Sequence, residues 1–496
     1  MNPQTYVRRW CVSVVALATM TVGLIFMASC GGNALIQPLG GGFSNSSLNG
    51  QYVFAVSGVG VNQAGGVSAF SEVVTFTADG SGHLTGVIDD FAQSGGPFSD
   101  TTTGSYSISR DGTGSITLNF SPTNTNYAIT MIDDSHFYVM EEDIFATSSG
   151  YGEKQDTSAF AAVPTGAFVF KAHNLRTTSR VGELVIAGGG GVTGTEDLLT
   201  SGLLSQNKPI TGNFSTTPPD PNGRGQFSLS DNSVFEYYVV NASKIRFLTL
   251  NGASLEIGQA EVQTGAPFSL ATLGSGNSYV FGSSGDTGFS LGIHSGGVFT
   301  SNGAGEVTGG MVDIVADANL SSGIAVNSGT YTLDPTSGRG QLDLTFSGSA
   351  NLEHIFWMVS PTKAYFLVNS SSAVEDGVFN LQTGGPFSNS SLSGQAALVM
   401  DGTDTTYKDR TGVFQPTSGG GLKWKQTANA FDPVAGGLIT ETGTNGSATV
   451  DASGRATVTV SGVTGSLVFY LISPNNGVMV QEDADIGGAF SQQASQ

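Results

Sequence analysis

Apolar and polar residues alternate along most of this chain with a period of two. In GSITLNF, Ile116, Leu118 and Phe120 alternate with Ser115, Thr117 and Asn119, and QLDLTF repeats the pattern with Leu342, Leu344 and Phe346. That period puts one set of side chains on each face of a β-strand, so these segments predict strands with one face in a core and the other in water. Asp79-Gly80 and Asn302-Gly303 sit between such runs, and Asp-Gly and Asn-Gly supply the positive φ of tight hairpins. Apart from an apolar N-terminal stretch, no segment sustains a capped 3.6-residue period.

The strands recur as a larger unit. DGTGSITLNF from Asp111, NGRGQFSLS from Asn222, SGRGQLDLTF from Ser337 and SGRATVTVSG from Ser453 align, with Gly112, Gly223, Gly338 and Gly454 spaced 111, 115 and 116 residues apart. Each copy opens on an apolar strand, at Gly50, Gly166, Asn277 and Gly394, and Phe160, Phe268, Phe387 and Phe490 mark the joints. An extra GGPFS at Gly95 falls inside the first copy. A whole-domain period predicts tandem domains. The expected fold is all-β, with four tandem antiparallel domains over residues 48–160, 161–268, 269–387 and 388–496. Each is expected to be an eight-stranded up-and-down meander closed into a barrel, which removes its edges, with a β-sandwich as the alternative. In size and strand pattern each copy resembles the calycins, the lipocalin and avidin class. The whole chain resembles uncharacterised Gly-rich tandem-repeat proteins taken to be bacterial lipoproteins, a resemblance that implies no known activity.

Composition excludes disorder and narrows the partners. Only 11% of the 496 residues are charged, against about 25% in ordinary soluble domains. With 39% hydrophobic residues, 30 Phe and 13 Tyr, the chain can build cores. Its formal charge of −21 opposes binding to phosphate backbones, so nucleic acid is not an expected partner. The acidic excess is uneven: Asp plus Glu against Lys plus Arg is 13 to 2 in residues 41–160, 8 to 7 in 161–268, 9 to 2 in 269–387 and 9 to 5 in 388–496. Surface chemistry is thus expected to have diverged among the copies.

The N-terminus reads as an export signal over residues 1–29. Arg8 and Arg9 precede the apolar stretch from Trp10 to Met27, which ends in Ala28-Ser29. Met27-Ala28-Ser29-Cys30 resembles the bacterial lipobox. The resemblance implies cleavage before Cys30, acylation of its thiol and, with Gly31 following, an outer-membrane destination. Cys11 would leave with the signal, so the mature chain would hold one thiol and no internal disulfide. A multiply acylated cysteine suffices for stable anchoring. Residues 30–47, rich in Gly with one Pro, are expected to form a flexible tether.

Candidate chemistry is sparse. GFSLG around Ser290 matches a nucleophile elbow, but strand and turn follow it where that motif needs a helix. GGGVTG, Gly189 to Gly194, has dinucleotide-binding spacing without the helix that would receive the phosphate, and reads as a hairpin turn. The five histidines, His83, His136, His173, His294 and His354, are scattered singly, without zinc-ligand spacing. The first copy concentrates carboxylates at Asp89, Asp90, Asp133, Asp134, Glu141, Glu142 and Asp143. Asp89, Asp90, Glu141, Glu142 and Asp143 are the candidate calcium ligands, set against a solvated acidic rim, because neighbouring strand residues point to opposite faces. No catalytic residue and no cofactor is expected. The expected function is a lipid-anchored cell-envelope protein, exported to the outer membrane or cell surface, with a binding or structural role towards an unknown surface ligand or protein. The alternatives are a carbohydrate-active hydrolase and a carrier of a small apolar ligand.

Overall fold

The computed structural model describes residues 41–61, 66–93, 96–174, 177–215, 218–250, 255–287, 291–316, 319–347, 351–402, 407–432, 436–463, 465–481 and 486–494. The signal segment, Cys30 and Ser290 lie outside the described residues. Strands run through residues 49–154, 166–262, 275–381 and 396–492, forming barrels I to IV of eight strands each. Successive strands pair antiparallel, and the first strand of each barrel pairs with its last: Tyr52 with Lys154, Phe168 with Val262, Tyr279 with Leu381 and Ala396 with Gln492. All four sheets are closed, which excludes the sandwich.

Inward-facing residues of the alternating pattern fill the barrels. In barrel I, Phe54 packs against Phe76, Tyr127 and Phe137 with ring centroids 6.2, 5.1 and 6.4 Å away, and each barrel has its own apolar cluster. One end of each barrel is plugged from outside its strands. Gly112, Gly223, Gly338 and Gly454, the residues that set the sequence repeat, have φ of 85°, 75°, 71° and 89°. A Cβ there would lie 3.0, 2.5, 2.7 and 2.9 Å from the rings of Phe43, Phe160, Phe268 and Phe387. Glycine is required twice over, by the left-handed backbone and by the ring beneath it. Two sequence expectations change here. Phe43, 3% exposed, lies in the segment read as tether and plugs barrel I. Phe490 is no joint residue: it sits in the strand Ile486–Gln492 and packs on Phe469 at 4.9 Å.

The barrels close into a ring. The first strands of each barrel pack on the sixth to eighth strands of the next, and barrel IV packs on barrel I in the same way. The main-chain N–H groups of Asp156, Thr264, Thr383 and Ala494 donate to the carbonyls of Val240, Val359, Ile472 and Ile132 in the following barrel at 2.7–2.9 Å. Just before them, the side-chain amides of Gln155, Gln263, Gln382 and Gln493 donate to Val239, Met358, Leu471 and Met131 carbonyls at 2.6–2.8 Å. Each joint also buries an apolar cluster, centred on Tyr238, Trp357, Tyr470 and Tyr138. A head-to-tail contact repeated with a rotation that closes gives a ring, here from one chain.

Three joints share a further lock. Asp90, Asp197 and Asp313, each at most 1% exposed, accept two bonds from Arg224, Arg339 and Arg455 of the next barrel at 2.7–2.8 Å. Tyr238, Trp357 and Tyr470 donate to the same carboxylates. At the joint between barrels IV and I the strand register puts Thr427 and Thr113 in those places. There Asn429 donates to the Glu141, Asp143 and Ala146 carbonyls at 3.0, 3.0 and 2.8 Å.

Candidate functional site: a polar cavity on the ring axis

Outward-facing residues of the last two strands of each barrel meet on the ring axis. The opening residue of the seventh strand, together with the residue two positions on, is His136 and Tyr138 in barrel I, Lys244 and Arg246 in II, Lys363 and Tyr365 in III, and Asn476 and Val478 in IV. The eighth-strand residues opposite the opening ones in barrels I to III are Glu153, Glu261 and Asn380, and Ser491 faces the axis from barrel IV. Each eighth strand faces the seventh strand of the next barrel. Glu153 therefore takes Lys244 at 2.7 Å and Arg246 at 2.6 Å, Glu261 takes Lys363 at 2.8 Å and the Tyr365 hydroxyl at 2.7 Å, and Ser491 meets the Tyr138 hydroxyl at 2.9 Å. A second cluster forms where Lys171 reaches Asp376 of barrel III at 2.7 Å, with His173 at 3.2 Å and the Ser179 hydroxyl at 3.0 Å.

Between these clusters lies a cavity of about 550 Å³ lined by all four barrels. Barrel I contributes Tyr138 and Tyr151; barrel IV contributes small residues such as Gly477, Gly488 and Ala489. His294, 2% exposed, reaches the wall and lies against barrel IV, where a Cβ on Gly487 would be 2.3 Å from its Nδ1. That Nδ1 has no hydrogen-bond partner among the described residues. Beside it a space of about 20 Å³, room for one water, is bounded by His173, Asp376 and Asp401.

The electrostatics of the cavity are set by pairing. Burial works to raise the Glu153 carboxyl, but Arg246 and Lys244 prevail and bring it down to about 2. Burial opposes ionisation of Glu261 and Asp376 too, and Lys363 with Lys244, and Lys171 with His173, hold both below the usual carboxylate range. Burial and the neighbouring Arg246 lower the Lys244 ammonium despite Glu153. Burial lowers His294, so its imidazole is neutral at pH 7. The walls thus present cations each paired with a carboxylate at contact distance, together with the Asp401 carboxylate and neutral donors and acceptors. Such a surface can bind and orient a polar guest.

The candidate carboxylates from the sequence lie elsewhere. Asp89 and Asp90 do point to opposite faces, Asp90 into the lock with Arg224. Glu141 is inside barrel I, accepting from the Ser148 hydroxyl at 3.1 Å. Glu142, raised by burial and by Glu441, faces barrel IV, and the Asp143 carboxylate caps the Phe145 N–H at 2.9 Å. The five carboxylates are thus divided between interior, joints and a turn, and among the described residues no three His, Cys, Asp or Glu side chains are placed to hold a metal ion. Gly189 to Gly194 forms a hairpin into the strand Gly191–Thr200. His83 and His136 pair with Asp79 and Asp133 at 2.9 Å, and His354 packs on Phe366 inside barrel III. Sequence reasoning missed Lys171, Lys244, Arg246, Lys363, Glu153, Glu261, Asp376 and His294 as one site. The available signal was the near balance of charges in residues 161–268, whose cations serve neighbouring barrels.

No protein-family model matches the chain, and no curated protein matches it. Among solved structures, the chain is similar to the vaccine antigen Transferrin Binding Protein B from Haemophilus parasuis Hp5 in two mutant forms. One gives a TM-score of 0.18 at 9% identity, covering 70% of this chain and 78% of that one; the other gives 0.16 at 10%, covering 73% and 84%. Intact Ap-TbpB, with N and C lobes, gives 0.16 at 8%, covering 75% and 87%. At these scores the likeness assigns no property to this chain.

Proposed function

We propose that the protein is a non-catalytic binding protein of the cell envelope, anchored through an acylated Cys30, whose ring of barrels holds a small polar ligand on its axis. The observation that carries this reading is that the cavity belongs to all four barrels and to none alone. Four tandem domains acting as independent binders or spacers would have no need of a closed ring. The filled interiors count against an apolar carrier, because a guest there would have to displace a packed core.

Native mass spectrometry on the whole mature chain, kept in solution by Cys30→Ser, tests the reading. Wild-type cavity residues should retain a small molecule from the host, and Ser284→Trp, which fills the wall, should release it with the fold intact. An apo mass for both chains, with no small polar compound shifting the melting temperature, would contradict it. The anchor has its own readout: labelled fatty acid should enter the wild type and be absent from Cys30→Ser.

A further inference from the structure

Resting on the reading of the axial cavity as a ligand site, we infer that its ligand is a neutral polyhydroxylated molecule, a sugar or short oligosaccharide. Charge pairing comes first. Lys171, Lys244, Arg246 and Lys363 each already touch a carboxylate at 2.6–2.8 Å. An anionic guest would have to break these part-buried pairs and leave a carboxylate stranded, which opposes its binding. A neutral guest leaves the pairs intact and uses their remaining hydrogen-bonding positions. A carboxylate oxygen accepts more than one bond and an ammonium donates three.

Hydroxyl groups both donate and accept, and the walls supply both kinds of partner. Ser284, Asn380 and Asp401 line the cavity, while the His294 Nδ1 is buried against Gly487 behind its wall. Tyr138 and Tyr151 line the cavity from barrel I, with the Arg246 guanidinium 5.6 Å over the Tyr151 ring. A volume of about 550 Å³ falls within the usual range for small-molecule sites.

Titration calorimetry on the mature Cys30→Ser chain with glucose, N-acetylglucosamine, cellobiose and maltose, and with galacturonate, inorganic phosphate and spermidine, tests the assignment. A neutral saccharide should bind saturably, with an affinity unchanged between about 0.05 and 0.5 M salt. Ser284→Ala removes a hydroxyl from the cavity wall and leaves the ion pairs in place. It should weaken that binding roughly tenfold while the melting temperature holds or rises. Binding of galacturonate, phosphate or spermidine with no neutral saccharide bound would overturn the ligand class and leave the site standing. Silence from every probe, on protein that also carries no retained molecule from its host, would overturn both.

Discussion

Arg224, Arg339 and Arg455 occupy one position in three barrels, and each reaches an aspartate of the barrel before it. The sequence shows these arginines in the repeated turn-and-strand segment, but not their partners 134 or 142 residues away. A single chain carries no trace of which strand face meets which neighbour. Removing one member of a buried ion pair leaves the other desolvated and unpaired, which costs about 3–5 kcal/mol. Arg339→Met should therefore lower unfolding free energy by that amount in denaturant titration, and a second change, Asp197→Asn, should recover part of it. A cost below about 1 kcal/mol would mean that the lock is not buried.

Asp409 tests the remaining joint. It is 4% exposed, accepts from the Thr147 hydroxyl of barrel I at 2.5 Å, and is pushed up to about 7 by burial and by the Asp401 charge against hydrogen bonds from Thr147 and Ser149. A carboxyl with a folded pKa above its unfolded value binds its proton more tightly when folded, so it costs stability as pH rises from about 4 towards 7. Asp409→Asn should be more stable than the wild type by a few kcal/mol above pH 7, with the gap closing towards pH 4. A gap independent of pH would contradict the burial of that carboxyl.

At the scale of elements, much of the fold was legible. Period-two runs became strands, Asp79-Gly80 and Asn302-Gly303 became hairpin turns with glycine φ of 76° and 71°, and the glycine spacing marked one turn in four barrels. The plugs were only partly legible, because Phe490 resembles Phe160, Phe268 and Phe387 in local sequence yet lies inside a strand. The stretch Phe43 to Leu48 is identical to Phe387 to Leu392, a signal that marks the first plug. Composition had suggested a tether there. Phe268, 2% exposed against Gly338, should cost about 3–5 kcal/mol when changed to Ala, read as a lower denaturant midpoint with an unchanged slope.

At the scale of the molecule, the uneven charge of the copies acquires a cause. Barrel II is nearly balanced because Lys171, Arg224, Lys244 and Arg246 point into its acidic neighbours, so the divergence expected at the surface lies in the joints and on the axis. Closure creates the cavity, and closure depends on barrel IV meeting barrel I across the whole length of the chain, at the joint without an Arg–Asp lock. The Thr411 and Thr130 hydroxyls meet there at 2.9 Å, buried between the two barrels. The described chain contains no cysteine, so Thr130→Cys with Thr411→Cys, in the Cys30→Ser chain expressed without residues 1–29, places two thiols at that point alone. Oxidising the purified double variant and mapping its disulfide by mass spectrometry is the most direct measurement. A closed ring gives rapid, near-complete crosslinking within one chain, since the two side chains already touch. Thiols that stay free in the folded monomer, or that crosslink only between chains, would mean that the barrels are strung in a line and the axial cavity does not exist.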